Sequence, residues 1–495
     1  MKKIAVIGAG FSGIAAATTL AANGYDVTVY EKNSSPGGRA RKFEVEGFLF
    51  DMGPSWYWMP NVFEKYFAAF GKAVSDYYEL ERLSPSYRVF FSKQEIWDIP
   101  SGRNELIDFF EEKEKGSAKQ LARFLEEAEY KYKVGMEELV YNPGISIREL
   151  FDFKLIKGIF KLHVFQSIRS YISKYFKSPQ LIQILEFPVL FLGASPANTP
   201  ALYSLMNYAD MVLGTWYPKG GMYKVVEGMV ALAEEKGVRF VYNSTVQSVN
   251  INKAQVNSLT VNNQQIFIDY LVAGADYHHV EQELLPLVYR HYTPAYWQER
   301  KLAPSSIIFY LGINKRIDNL NHHNLFFDED FDKHAEEIYN NPQWPGQPLF
   351  YVCCPSKSDN TVAPEGSENI FILIPVAAGL EGDEESIREK YFKNVIERIE
   401  KLTNQNISEH IVYKRSYAHS NFIMDYNAFK GNAYGLANTI MQTANLKPSM
   451  INKKVTNLFY TGQLTVPGPG VPPSLISGQV VANTLMEQDK KYNNI

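Results

Sequence analysis

The chain of 495 residues carries 21% charged residues and a formal net charge of -4. That length exceeds one ordinary hydrophobic core, so two or more domains are expected. The near-balanced charge excludes binding of a polyanion in bulk, and no nucleic-acid partner is expected.

In chain order, the opening Met1-Lys-Lys-Ile-Ala-Val-Ile7 sets two lysines before an apolar run. Glycines soon break the run and Asp26 and Glu31 follow, so it does not read as a signal peptide. Residues 3–7 predict a strand, 11–23 a helix of small residues and 26–30 a second strand, a βαβ opening. A helical region is expected over roughly residues 105–185. Strand-like runs return at 238–249, 270–273, 306–313, 349–354 and 369–375, followed by a helix at 384–402. Cys353 and Cys354 fall in a run that reads as buried strand, and no disulfide framework is expected. Residues 187–209 and 455–486 lack charges, but prolines interrupt both, so no membrane-spanning helix is predicted.

Gly8-Ala9-Gly10-Phe-Ser12-Gly13 follows the first strand and opens the first helix. In that context Gly8 permits a tight turn, Gly10 lets backbone approach a pyrophosphate, and Gly13 lets helix and strand pack closely. Phosphate oxygens then sit at the helix N-terminus. Glu31 ends the second strand, 18 positions beyond Gly13, where it can accept hydrogen bonds from a ribose diol. This fingerprint alone does not separate NAD from FAD.

Further motifs make that distinction. Glu31-Lys32, Gly37-Gly38-Arg39 and Phe50-Asp51-Met-Gly53-Pro54-Ser55 resemble the glutathione-reductase-like flavoproteins that include amine oxidases and carotenoid desaturases. The resemblance implies FAD, with Arg39 at its diphosphate. Gly214-Thr-Trp216-Tyr217-Pro218-Lys-Gly220-Gly221-Met222 resembles the phytoene-desaturase turn that leads into the second part of the FAD domain, with Val246 matching an adenine contact. The segment from Asn457 through Gly462, Gly470 and Val471 to Gly478 is similar to the carotenoid-desaturase terminal signature, which reaches the flavin end of FAD.

The implied fold is α/β, an FAD-binding Rossmann-like domain joined to a second domain of β-sheet and helices. Residues 1–75, 214–285 and 455–495 are expected to form the discontinuous FAD-binding domain. Residues 76–213 and 286–454 would bind substrate and associate with membrane. Family resemblance also implies the reaction, FAD-dependent desaturation of phytoene toward lycopene, with oxygen or a quinone as electron acceptor. A later-step or C30 carotenoid desaturase, an amine oxidase and a non-enzymatic prenyl carrier are the alternatives.

A hydrocarbon offers nothing to ionise, so the hard step belongs to the flavin: hydride leaves an allylic carbon, then a proton leaves its neighbour. The protein must hold the chain and exclude water. Asp51 could accept that proton or stabilise the cation; a hydrogen-bonded turn in Asp-x-Gly-Pro is the alternative reading. The nine histidines show no metal-ligand spacing, and the adjacent pairs His278-His279 and His322-His323 read as surface or turn residues pointing apart, so no metal is expected. From 153 to 185 the chain holds Lys154, Lys157, Lys161, Arg169, Lys174 and Lys177 without one acid. That pattern suggests docking on an anionic membrane surface. The expected location is the cytoplasm, peripheral on the inner face of the cell membrane.

Overall fold

The computed structural model describes residues 1–145, 162–190 and 193–493. Strand Lys3–Ile7 ends at Gly8, whose φ of +92° only glycine adopts easily, and the chain turns there into helix Phe11–Ala22. Asp26–Tyr30 returns parallel to the first strand, with Val29 opposite Val6. On the other side Tyr270–Ala273 sets Val272 opposite Val6, also parallel. Leu458–Tyr460 and Arg239–Val241 complete this five-stranded parallel sheet at its two edges. Packing against both faces explains why residues 4–7 and Tyr270–Ala273 read as unbroken apolar runs. Helix Phe11–Ala22 lies against the long C-terminal helix Val471–Asn493. Glycines permit that approach: a Cβ on Gly478 would fall 2.2 Å from the Ser12 carbonyl oxygen.

A seven-stranded sheet runs in the order Ile411–Tyr417, Ser305–Ile313, Glu368–Val376, Phe350–Cys353, His323–Phe326, Tyr87–Phe90, Ile96–Ile99. Its neighbours are antiparallel except for His323–Phe326 beside Tyr87–Phe90. Alternation along Ser305–Ile313 serves two cores. Ile307, Phe309 and Leu311 pack with Val395 and Ile399 of helix Glu385–Thr403. Ile308 and Tyr310 face the other way, into the core shared with the parallel sheet.

Several sequence expectations change in detail. The helical region begins as Arg103–Lys113 and Ser117–Lys133 and resumes as Ile168–Ile172 and Pro179–Leu190. The run at 238–249 is broken at Asn243, where φ is +51°, so Arg239–Val241 and Val246–Asn252 join different sheets. Among the described residues no helix is long and apolar enough to cross a membrane. Lys154, Lys157 and Lys161 lie outside the described residues. Arg169, expected on a membrane-facing surface, is partly exposed and pairs with buried Glu186 at 2.6 Å and with exposed Asp332 at 2.5 Å.

His322 and His323 also depart from expectation. Both are buried, and their ring centroids are 4.5 Å apart. The alternation that would separate them does not apply, because His322 lies just before strand His323–Phe326 begins. His278, half-buried, stacks on Phe429 at 4.0 Å.

Candidate functional site

A cavity of about 380 Å³ opens at the carboxyl ends of the parallel strands and continues to the wall of the seven-stranded sheet. Its first half is built by the βαβ opening. Gly8, Gly10 and Ser12 line it at the start of helix Phe11–Ala22, with Gly38 and Arg39 beside them and Glu31 beyond the second strand. Gly10 leaves open space: a Cβ there would meet no protein atom within 4 Å. Gly13 does not line the cavity and acts by packing, since its Cβ would lie 2.0 Å from the Gly8 carbonyl oxygen. Ala9 is also absent from the lining and holds Glu31, donating its N–H to Glu31 Oε2 at 2.8 Å.

Asn33 donates twice to Glu31 Oε1, from backbone N–H at 2.9 Å and side-chain Nδ2 at 2.8 Å. A carboxylate offers about four acceptor positions, so capacity for one more donor remains. Lys32 lines the cavity but spends its ammonium on the Met424 carbonyl at 2.7 Å, and burial lowers its pKa.

The Arg39 side chain is half-buried and donates one bond, 3.1 Å to the Asn432 carbonyl, while its buried Nε has no partner. Desolvation pulls its pKa down, opposed first by Asp276. A half-buried cation with an unpartnered Nε donor beside a helix N-terminus fits a diphosphate. The open space at Gly10 admits that group without backbone movement.

Pro54, Ser55, Val246, Gly462 and Val471 line the same cavity, so residues from three segments far apart in the chain converge with the fingerprint. Asp51 does not. It lies on a separate cavity of about 20 Å³ and accepts backbone N–H bonds from Met222 at 2.7 Å and Tyr223 at 2.9 Å. Burial raises its carboxyl to about 6, and those two bonds oppose the rise. Asp51 therefore ties the Phe48–Asp51 strand to the 220–223 turn.

Sequence reasoning missed the far half of the cavity, where Trp56, Trp58, Met59, Met206, Ile308 and Leu373 form an apolar wall. Nothing at those positions marks them locally. Asp276 and His279 also line the cavity, within a segment whose likeness to desaturases was legible without a role. Asp276 caps its short helix by accepting from His279 N–H at 3.2 Å, and burial raises its pKa.

Comparison with known proteins adds to this geometry. The profile of the family described as flavin containing amine oxidoreductase matches residues 11–486. A carotenoid 3,4-desaturase of Haloarcula japonica is 41% identical, covering 98% of each chain. A zeta-carotene-forming phytoene desaturase of Myxococcus xanthus is 30% identical, covering 98% of this chain and 94% of its own. An oxidoreductase from Methanosarcina mazei superposes with a TM-score of 0.65 at 14% identity, covering 98% of this chain and all of its own, a likeness of fold.

Proposed function

The chain belongs to the flavin-containing amine oxidoreductases, in their carotenoid desaturase branch, and from that premise we propose that it desaturates a C40 carotenoid at a late, 3,4-type step. FAD is the cofactor of this CH–CH oxidoreductase and, when bound, supplies the two-electron acceptor for hydride from the substrate. One observation carries the step assignment: 41% identity to a 3,4-desaturase over nearly both whole chains, against 30% to a phytoene-acting relative. Conversion of phytoene is the second reading, supported by that 30% relative and by the Trp216-Tyr-Pro-Lys-Gly-Gly221 turn.

In this reading Gly8, Gly10 and the start of helix Phe11–Ala22 take the FAD diphosphate, with Arg39 neutralising it and Glu31 binding the ribose. Gly462 and Val471 approach the flavin end and Val246 the adenine. Trp56, Trp58, Met206 and Leu373 hold the polyene and keep water from the reacting carbons. The described lining of that wall presents no carboxylate to the chain, consistent with a substrate that has nothing to ionise. The discontinuous FAD-binding domain would comprise residues 1–75, 214–285 and 455–495.

Co-expression with a pathway ending at phytoene, and in parallel with one ending at lycopene, tests both readings by chromatography and mass. A late-step enzyme leaves phytoene untouched and converts lycopene to a redder product lighter by H2. A coloured product from phytoene with lycopene unconverted would replace the first reading by the second, and two unchanged pigments would reject both.

A further inference from the structure

Beside the apolar cavity, the seven-stranded sheet brings two histidines and a cysteine together. His323 and Cys353 are cross-strand partners, and the ligand atoms of His322, His323 and Cys353 lie within 4.8 Å of one another. All three are buried, at 5%, 0% and 2% exposure. Each ring engages a hydroxyl through Nδ1: His322 at 3.0 Å from Ser358 Oγ, His323 at 2.6 Å from Tyr351 Oη. Both Nε2 atoms are buried without a hydrogen-bond partner. In the tautomer that donates Nδ1–H to the hydroxyl, Nε2 is a bare lone pair, the arrangement in which metal-bound histidines are held. Two buried imidazoles that share a site with a reduced thiol, each with an unpartnered Nε2, are costly to bury unless something binds them.

We infer that His322, His323 and Cys353 form a site for one zinc-class transition-metal ion, separate from the FAD cavity. Two imidazoles and one thiolate suit zinc, and the small cavity of about 20 Å³ lined by His322 and Cys353 has room for one water as the fourth ligand. Zinc takes nitrogen at about 2.0–2.1 Å and sulfur at about 2.3 Å, which sets tetrahedral ligands roughly 3.3–3.6 Å apart. Binding therefore draws the three side chains together by about 1 Å. On binding, the Cys353 S–H bond breaks, its proton passes to solvent and an S–Zn bond forms, with no change of oxidation state. Cys354, one residue on, belongs to the opposite core and takes no part.

The ion would also act on the substrate wall. Trp56 lines the large cavity and stacks on His323 at 4.0 Å and 12°. Tyr351, hydrogen-bonded to the same ring, lines it as well. Holding His323 fixes the face against which both aromatic rings rest.

The test takes the FAD-loaded full chain, strips it with a chelator, re-exposes it to Zn²⁺ and measures zinc per protein after gel filtration. The site requires close to one zinc per chain in the parent and at least a tenfold drop in Cys353→Ala and in His323→Ala, with FAD content retained. Should either variant fail to fold, Co²⁺ added to the parent decides: four-coordinate thiolate ligation gives intense ligand-field bands beyond the flavin absorption. Background zinc in the parent, full zinc retention by Cys353→Ala, or only the weak spectrum of six-coordinate Co²⁺ would each overturn the site.

Discussion

At the scale of single residues, Gly10 and Gly13 belong to one motif but act by different physics. Gly10 has φ of -79° and ψ of 176°, a conformation open to any residue, and its missing Cβ faces empty cavity. Gly10→Val should therefore fold normally, within about 1 kcal/mol of the parent apoprotein, while FAD affinity falls at least tenfold, as read by flavin absorbance after reconstitution. Gly13→Ala places its Cβ 2.0 Å from backbone and should destabilise the apoprotein itself, by about 1–3 kcal/mol. Full flavin occupancy in Gly10→Val would remove the diphosphate from that position. Asp51 illustrates the converse: its residue type suggested chemistry, and its backbone partners assign it to holding a turn.

At the scale of elements, the segment joining helix Leu205–Tyr208 to strand Trp216–Pro218 carries a buried polar network. Asp210 accepts from Tyr87 Oη at 3.0 Å and from Thr215 Oγ1 at 3.3 Å, and Thr215 Oγ1 accepts from Trp58 Nε1 at 2.9 Å. Desolvation raises the Asp210 carboxyl to about 7, against the lowering by those two hydroxyls. The folded state thus favours the protonated form. Its contribution is fully present below the unfolded pKa of about 4 and is lost as pH rises through about 7. Asp210→Asn keeps the shape and removes the titration. Urea unfolding should show the variant gaining on the parent by about 2–4 kcal/mol between pH 4 and 7, and parallel stability curves would contradict the shift.

At the scale of the whole molecule, the issue is how a bilayer-soluble substrate reaches the cavity. Ile145 and Leu446 are exposed, and Gly144 lies close to Asn445, so these two apolar residues lie near the end of the described stretch before residue 146. Lys154, Lys157 and Lys161 follow in sequence. We propose that this flank docks on anionic lipid, with Arg169 excluded because it serves Glu186 and Asp332. Each lysine near such a surface contributes about 1 kcal/mol, so reversing all three to Glu should weaken binding to anionic liposomes at least a hundredfold at low salt. FAD content should stay normal, with activity lost on liposome-held substrate more than on detergent-dispersed substrate. Unchanged flotation would return this stretch to the role of a solvated face.

What the sequence determined by itself was the βαβ opening and the FAD cofactor. Gly8, Gly10, Gly13 and Glu31 declare themselves because turn conformation, helix start and acid follow within 24 residues, where local backbone preferences govern. Lys3–Ile7, Asp26–Tyr30 and Tyr270–Ala273 were legible because short β-rich apolar runs mark central strands, with Val27 and Val29 alternating with polar Asp26 and Thr28 in the second. Only the tertiary structure decided the apolar cavity wall, because Trp56, Met206 and Leu373 meet through packing of segments far apart in the chain. It alone also joined His323 to Cys353: cross-strand register depends on which faces two strands bury together, and no spacing along the chain encodes that choice.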